Sequence, residues 1–543
     1  MADRPPPNVF QEYWIDAWQR SILTLDILRE RGNTFIARSS ENAPHVLGFA
    51  FEVVLDGRTL ARPVNYVLVS VIPPEGTVID PAKPPYVVVD PRAGHGPGIG
   101  GMKQESEIGV ALAAGHACYF VGFLPRPMPE QTIADVCTAE AAFLEAVAAR
   151  HPEAESKPVV VGNCQAGWQI MMTAAVRPDL FGPILLAGSP LSYWGGVRGR
   201  NPMRYLGGTL GGTWLTALAG DLGNGTFDGA NLVANFESLN PANTYWEKPY
   251  NLYSKADTEG ARFLDFETWW GNPVTLNAGE MQWIADNLFV GNKLTSGEIL
   301  TADGTRVDLR NIRSPIIVLC SWGDNITPPQ QALGWVTDLY DHEDEIVANG
   351  QTIVYTLHQT IGHLGIFVSS KVATKEHAEF ASCMEMIDLL PPGLYEAVIT
   401  EIDERTANPG LIRASTCSGW KRARSTTSAL LAATATRTSA ASPPRRAFPI
   451  STPACTEPSP SPPSGRWSAN RRPNCWPRPI RTGCGSPPSR IAIRSWRRSS
   501  RWPTRFVPTA GPSRPTIPCS PWRRSPPPGS RPAGRVTAWP ATP

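Results

Sequence analysis

Short apolar runs alternate with amphipathic stretches along much of the chain. The runs are rich in Val and Ile and are typical of strands buried on both faces of a sheet, whereas the stretches between them are typical of helices. This alternation predicts an α/β protein with a mostly parallel, doubly wound sheet. The predicted strands cover residues 50–55, 64–72, 85–90, 117–123, 158–163, 183–187 and 315–320, and the predicted helices include 134–149 and 374–390.

Two parts of the chain break this alternation. Residues 13–31 predict an amphipathic helix that ends at Gly32 and packs on the core, with a membrane or granule anchor as the alternative. The apolar face of that helix holds Trp14, Trp18, Ile22, Leu25 and Leu28. Between 189 and 311, six tryptophans and many glycines without clear βα units predict a cap over an active site.

The predicted organisation follows from these breaks. An N-terminal helical segment covers 1–45, the α/β core covers 46–188 and 312–405, and the inserted cap covers 189–311.

Composition changes abruptly near residue 411. Residues 1–410 hold 27 Lys+Arg against 47 Asp+Glu, whereas residues 411–543 hold 23 against 1. A basic Arg-, Pro- and Ser-rich arm is typical of disorder, and such an arm can bind nucleic acid. The same composition arises when a GC-rich gene is translated out of frame. We interpret 411–543 as a disordered frameshift product and expect no nucleic-acid partner; an intact reading frame on resequencing the gene would contradict this.

Residues 158–168 place a cysteine where an enzyme would hold a nucleophile. An apolar strand leads into a G-x-C-x-A turn and then a helical pattern. Gly162, Ala166 and Gly167 are small enough for a sharp strand-to-helix turn that exposes Cys164, and the start of the helix favours a thiolate. The alternative interpretation is a buried structural cysteine.

Two further residues follow in the chain order nucleophile, acid, histidine. Asp324 comes after the strand 315–320, where its carboxylate could orient an imidazole; an Asp there could instead be a turn residue or the N-cap of the helix that starts near Pro329. His363 lies in a glycine-flanked loop and would act as the base. His358, at the end of the preceding strand pattern, is the alternative base.

The glycine-rich loop 90–101 follows a strand that should lie beside the strand of Cys164. In such an arrangement this loop and the residue after the nucleophile supply amides to an oxyanion, so we expect the backbone N–H groups of Ala93 and Gln165 to do so. His95 is interpreted as a turn residue. Neither a P-loop lysine nor a His/Cys cluster is present, so no nucleotide cofactor or metal is expected.

The cysteines and the hydropathy bear on the compartment. Five cysteines precede residue 411 without C-x-x-C spacing, so neither a zinc site nor a disulfide framework is expected. The sequence shows neither a secretory signal nor an apolar run of spanning length. We therefore expect a cytoplasmic protein with no transmembrane segment.

Three segments, GlyAsnCysGlnAlaGly, GlyAspAsnIleThrPro and IleGlyHisLeuGlyIle, resemble the nucleophile, acid and histidine segments of polyhydroxyalkanoate synthases. The resemblance, which covers residues 10 to 400, extends to bacterial poly(3-hydroxyalkanoate) synthetase-like proteins. It implies an α/β-hydrolase fold in which Cys164 is acylated, His363 is the base and Asp324 assists it. It also implies transfer of hydroxyacyl groups from coenzyme A thioesters to a growing polyester, with coenzyme A entering as substrate.

Two other functions fit the same residues. One is a thioesterase, an esterase or a polyhydroxyalkanoate depolymerase, in which water accepts the acyl group. The other is a catalytically idle scaffold or granule-associated protein. The candidate partners are a hydroxyacyl-coenzyme A or ester substrate, a polyester granule, and a second copy of the chain in a homodimer.

Overall fold

A computed structural model describes residues 8–195, 207–301, 303–397, 399 and 420–422. Within these ranges, a ten-stranded sheet has the order β1-β2-β4-β3-β5-β6-β9-β10-β11-β12. Its strands are β1 (Phe51–Asp56), β2 (Tyr66–Val71), β3 (Tyr86–Val89), β4 (Cys118–Phe123), β5 (Val159–Asn163), β6 (Ile184–Ala187), β9 (Ile316–Ser321), β10 (Thr352–His358), β11 (Gly393–Ala397) and β12 (Trp420–Arg422).

The middle of the sheet is parallel. Every neighbouring pair from β4 to β11 runs parallel, whereas β1–β2, β2–β4 and β11–β12 are antiparallel. The predicted strands and the mostly parallel sheet are confirmed. The long Val- and Ile-rich runs were sufficient to locate the strands because parallel strands are buried on both faces.

Both faces of the sheet carry an apolar core. In β9, Ile316, Val318 and Cys320 face one core, while Ile317 and Leu319 face the other. Successive side chains of a strand point to opposite faces, so a strand without polar positions needs helices on both sides.

Helices pack on these two faces, and further helices lie before β1 and between β6 and β9. In chain order they are α1 (Val9–Ser39), α2 (Glu107–Ala113), α3 (Ile133–Arg150), α4 (Ala166–Val176), α5 (Trp214–Leu222), α6 (Ala230–Ser238), α7 (Lys248–Ser254), α8 (Gly260–Trp270), α9 (Ala278–Ile284), α10 (Pro329–Leu339), α11 (Glu343–Ala348), α12 (His363–Val368), α13 (Ser370–Val372) and α14 (Ala378–Asp388).

The N-terminal helix departs from its prediction. It starts at an Asn8 capping box and continues through Gly32, because one glycine costs only about 1 kcal/mol in a helix interior. None of its residues is buried, so the predicted packing on the core is wrong. The helix instead lies against α7 and α8, where Arg20 donates to the carbonyl of Ser254 at 2.7 Å and Arg31 pairs with Glu267 at 2.5 Å.

The segment between β6 and β9 has more regular structure than its sequence suggests. It contains α5 to α9 and a two-stranded antiparallel sheet of β7 (Thr226–Asp228) and β8 (Thr275–Asn277). The sequence of this segment lacks βα periodicity because the segment consists mainly of short helices. The boundaries predicted for the cap stay a prediction.

One strand lies within the tail that was predicted to have no structure. The backbone of residues 420–422 pairs antiparallel with β11, so the prediction is wrong for these residues. The unpaired backbone groups of an edge strand can accept an extended segment whatever its side chains are. The remainder of 411–543 lies outside the described residues, and its frameshift origin stays a prediction.

A buried ion pair joins the segment between β6 and β9 to the sheet. Arg92, in the loop after β3, binds both carboxylate oxygens of Glu280 on α9 at 2.9 and 3.0 Å. Gln131 donates to the same carboxylate at 2.8 Å. The two charged side chains are almost completely buried, so each depends on the other to offset its loss of hydration.

We expect Arg92→Ala to lower the free energy of unfolding by about 3–5 kcal/mol, because the Glu280 carboxylate would stay buried without its partner. Urea denaturation measures this change. Arg29→Ala removes an exposed ion pair with Asp26 and serves as the control, with an expected loss below about 0.5 kcal/mol. Equal losses of unfolding free energy in the two variants would show that the buried ion pair does not stabilise the attachment of this segment to the sheet.

Candidate active site

The carboxyl ends of the parallel strands place four polar residues at one edge of the sheet. Asp90 follows β3, Cys164 follows β5, Asp324 follows β9, and His363 follows β10. In open α/β sheets this edge is where ligands bind. Residues far apart in the sequence therefore meet here because the strands that carry them are neighbours.

A strained turn holds Cys164. Its φ of +48° lies in the left-handed region that residues with a Cβ rarely adopt. The turn brings strand and helix so close that a Cβ on Gly162 would lie 2.7 Å from the Cα of Gly167, and a Cβ on Gly167 would collide with Ser189. Backbone strain of about 1–3 kcal/mol persists only where the surroundings enforce it.

The three residues predicted from the sequence come together at this turn. His363 Nε2 lies 3.2 Å from the Cys164 sulfur, and His363 Nδ1 lies 2.7 Å from Oδ2 of Asp324. All three side chains are buried. The imidazole therefore bridges the thiol and the carboxylate, which is the geometry needed for proton transfer.

The surroundings of His363 favour its charged form. Burial acts to lower the pKa of the imidazole, but the charges of Asp324 and Cys164 outweigh burial and raise the pKa to about 10. At neutral pH an imidazole with this pKa carries both of its N–H protons and a positive charge.

Asp324 is both a turn residue and a hydrogen-bond partner of His363. Oδ1 accepts the backbone N–H groups of Ile326 and Thr327 at 2.8 and 2.7 Å, as a turn-capping residue does. Oδ2 remains for His363. The rival histidine, His358, instead accepts the amides of the loop that follows it through its Nδ1 and lies 3.9 Å from Glu376.

The two predicted oxyanion donors differ in their present bonding. The N–H of Gln165 makes no hydrogen bond within the described residues and stands at the start of α4. The N–H of Ala93, in contrast, donates to the carbonyl of Pro91 at 2.9 Å. Ala93 is therefore already satisfied locally, and it could serve an oxyanion only after this bond opens.

His95 is more than a turn residue. Its side chain is buried, and its ring centroid lies 4.7 Å from that of Trp269 on α8. Trp269 Nε1 lies 3.1 Å from His95 Nδ1. Burial and the nearby charge of His363 lower the pKa of His95 to about 4, so this ring stays neutral beside the charged one.

A buried chain of polar side chains, which no sequence motif indicated, lies beneath the turn. The Nδ2 group of Asn163 donates to Glu107 on α2 at 2.7 Å. The other oxygen of Glu107 lies 3.2 Å from Nε2 of His377, and this nitrogen is 2.9 Å from the carbonyl of Ile366 on α12. The residue before Cys164 and the helix that begins with His363 are thereby linked. Glu107 and His377 lie 270 positions apart in the sequence, so no local motif could reveal the link.

A narrow pocket reaches the Cys164 sulfur. Its free volume is about 30 Å³, enough for a few water molecules only. The residues that line it combine aromatic and aliphatic side chains with several amides: Cys164, Gln165, Pro190, Tyr193, Asn235, Phe236, Leu239, Phe289, Asn325, Ile326, Thr327 and Gln331. Six of these come from the segment 189–311 that was predicted to be a cap, and three of the six lie on or just after α6.

The remaining cysteines of the described residues fall into two groups. Cys118, Cys137 and Cys320 are free and buried. Cys383 is disulfide-bonded, although the cysteine spacing indicated no disulfide framework. Sequence spacing carries no information on which cysteines approach each other in space.

The described residues contain neither a membrane-spanning helix nor a cluster of metal ligands. No helix in this part of the chain is both long and apolar enough to cross a membrane. No group of three or more His, Cys, Asp or Glu side chains is arranged there to hold a metal ion.

The strand order, the sharp turn after β5 and the order of Cys164, Asp324 and His363 define a protein with the α/β-hydrolase fold. The chain belongs to the family described as "Protein of unknown function (DUF3141)", whose model matches residues 16–424.

Relatives of known sequence are of two kinds. The "Uncharacterized protein in ackA 5'region" of Rhizobium meliloti is 65% identical over 400 residues, which cover 74% of this chain and 55% of that protein. The "Poly(3-hydroxyalkanoate) polymerase subunit PhaC" of Haloferax mediterranei is 25% identical over 142 residues, 26% of this chain and 27% of that protein. The chain thus matches about half of the first relative and about a quarter of the second.

Solved structures resemble the chain only distantly. A putative lipase from Acinetobacter baumannii covers 67% of this chain and 97% of its own length, with 12% identity and a TM-score of 0.35. An esterase from Pyrobaculum calidifontis covers 72% of this chain and 96% of its own length, with 12% identity and a TM-score of 0.34.

We expect the His363 imidazole to titrate near pH 10, and Asp324→Asn to lower this pKa by more than one unit. Since the folded-state pKa lies above the ordinary value of 6.5, the protonated ring stabilises the folded protein below pH 6.5, and this contribution is lost as the pH rises through about 10. NMR titration of ¹³C-labelled histidine measures the pKa directly. A midpoint between 6 and 7 in the unaltered protein would contradict the ion pair.

Proposed function

We propose that the protein is an acyltransferase that carries hydroxyacyl groups from coenzyme A thioesters, through Cys164, to the hydroxyl group of an acceptor. The observation that carries the proposal is the bridge from the Cys164 sulfur through the imidazole of His363 to Asp324, built on a strained turn at the end of β5. Supporting it is the partial similarity to the polymerase subunits.

The resting state in this proposal is an ion pair. We propose that Cys164 reacts as the thiolate, the nucleophilic form of a thiol, with the Nε2 atom of the charged His363 ring 3.2 Å from its sulfur. Asp324 keeps the imidazole oriented through Nδ1. The carboxylate is in turn fixed by two backbone amides, so it has little freedom to turn away.

Acylation begins when the thiolate attacks the thioester carbonyl. A carbon–sulfur bond to Cys164 forms, and the carbonyl oxygen becomes an oxyanion that the N–H of Gln165 can stabilise. The intermediate then expels the coenzyme A sulfur, which takes the Nε2 proton of His363 and leaves as a thiol. The imidazole is now neutral.

Transfer reverses these steps with another acceptor. The hydroxyl group gives its proton to neutral His363 Nε2, and its oxygen attacks the acyl carbon. The second tetrahedral intermediate expels the Cys164 thiolate, which restores the ion pair. When the acceptor is the hydroxyl of another hydroxyacyl chain, the product is a longer polyester.

Sulfur and the narrow pocket both support transfer over hydrolysis. Transfer of an acyl group from the sulfur of coenzyme A to the sulfur of Cys164 is nearly thermoneutral because a thioester is both broken and formed. The acyl group therefore stays activated on Cys164 until an acceptor arrives. The pocket admits little water, and side chains on or after α6 must move aside before an acyl chain can enter. A cap that closes over the acylated cysteine would exclude water as the competing acceptor.

We expect Cys164→Ala to reduce thiol release from 3-hydroxybutyryl-coenzyme A by a factor of about 10³ or more in the full chain. The reason is that the variant lacks the sulfur that accepts the acyl group in the proposed reaction. Cys137→Ala replaces a buried thiol on α3 and is the matched control, with unchanged release expected. A thiol-specific dye follows the reaction, and extraction of the products detects polymer.

The products separate the candidate functions. Thiol release with polyester supports the proposal. Release with free 3-hydroxybutyrate alone would replace it with a hydrolase. No release, combined with a Cys164 that iodoacetamide does not alkylate, would indicate an idle scaffold.

A further inference from the structure

A tyrosine hydroxyl beside Cys164 lacks a hydrogen-bond partner. Tyr193, in the loop after β6, is 4% exposed, and its oxygen is buried without a partner among the described residues. The side chain lines the same pocket as the Cys164 sulfur. A buried hydroxyl left without a partner destabilises a protein by about 1–3 kcal/mol, so such a group at a pocket wall points to a ligand that completes it.

A second polar group restricts what that ligand can be. Nε1 of Trp168, on α4, is buried and lies close enough to the Tyr193 hydroxyl to act on its oxygen as a weak donor, although the pair falls outside good hydrogen-bond geometry. An indole N–H can only donate. Burial and the charge of the Cys164 sulfur raise the pKa of the Tyr193 hydroxyl well above its ordinary value, so the hydroxyl keeps its proton. The bound group must therefore supply an acceptor oxygen.

The apolar neighbours of Tyr193 indicate which oxygen this is. The ring of Phe289 lies 4.9 Å from the ring of Tyr193, and Phe236 and Leu239 line the same pocket. These side chains suit the carbon chain of an acyl group. The thioester carbonyl, in contrast, must lie next to the sulfur and the N–H of Gln165. An oxygen that reaches Tyr193 among these apolar groups is thus a substituent on the acyl chain.

We propose that Tyr193 determines substrate specificity by donating a hydrogen bond to a hydroxyl substituent on the acyl chain. The inference rests on the proposed acyl transfer, and it assigns the preference for hydroxylated chains to one residue. An unsubstituted chain would leave the tyrosine hydroxyl buried and unpaired. The expected discrimination is about 10- to 100-fold, the usual effect of one such unpaired group.

Binding can be measured without turnover. In the full chain carrying Cys164→Ala, isothermal titration calorimetry compares 3-hydroxybutyryl-coenzyme A with butyryl-coenzyme A. We expect the hydroxylated ligand to bind about 10- to 100-fold more tightly, and Tyr193→Phe to remove most of this difference by weakening only that ligand. Tyr340→Phe, a buried tyrosine at the end of α10 outside the pocket, is the control and should keep the difference.

Three kinds of result would overturn the assignment of Tyr193. Equal affinities for the two ligands, or no binding of either, would show that the pocket does not recognise the hydroxyl. An unchanged ratio of affinities in Tyr193→Phe would assign the recognition elsewhere. Equal losses for both ligands would indicate a purely structural role. If the hydroxylated ligand is preferred but the unaltered chain releases no thiol, the acyl-transfer function fails while the assignment of Tyr193 stands.

Discussion

The turn at Cys164 is the constraint on which the site depends. A cysteine at a φ of +48° is held there because β5 and α4 approach so closely that neither Gly162 nor Gly167 has room for a side chain. The same approach raises the sulfur above the edge of the sheet and leaves the N–H of Gln165 unbonded beside it. Strain at one residue thus sets the positions of both the proposed nucleophile and one proposed oxyanion donor.

Ionisable side chains near this turn lie next to one another in pairs, such as His363 with Asp324 and His377 with Glu107. His363 is charged because Asp324 and Cys164 balance it, while the neighbouring His95 is kept neutral by burial. Deeper in the molecule, Glu107 ties the residue before Cys164 to the region around α12. Charged groups such as these are costly to bury singly, so the contacts between them help to fix the geometry of the site.

The sequence revealed those features that have a local signature. Strands that are buried on both faces consist of Val- and Ile-rich runs, and the sharp strand-to-helix turn has small residues around Cys164. Both features could therefore be predicted from the local sequence. Chain order then singled out Asp324 and His363. Glu107, His377 and Tyr193 could not be found, because their significance arises from neighbours that only folding brings close. The extension of α1 past Gly32 was missed because helix length is set by many residues, and one unfavourable glycine does not end it.

Acyl transfer through Cys164 requires a covalent bond between its sulfur and the acyl group. This bond can be detected by mass spectrometry of peptides from the full chain, quenched in acid within milliseconds of mixing with 3-hydroxybutyryl-coenzyme A. We expect a 3-hydroxybutyryl adduct on the peptide that contains Cys164, and its loss when the chain carries Asp324→Asn together with His363→Ala. An adduct on another cysteine, or product formation with no adduct on Cys164, would show that this sulfur is not the acyl carrier.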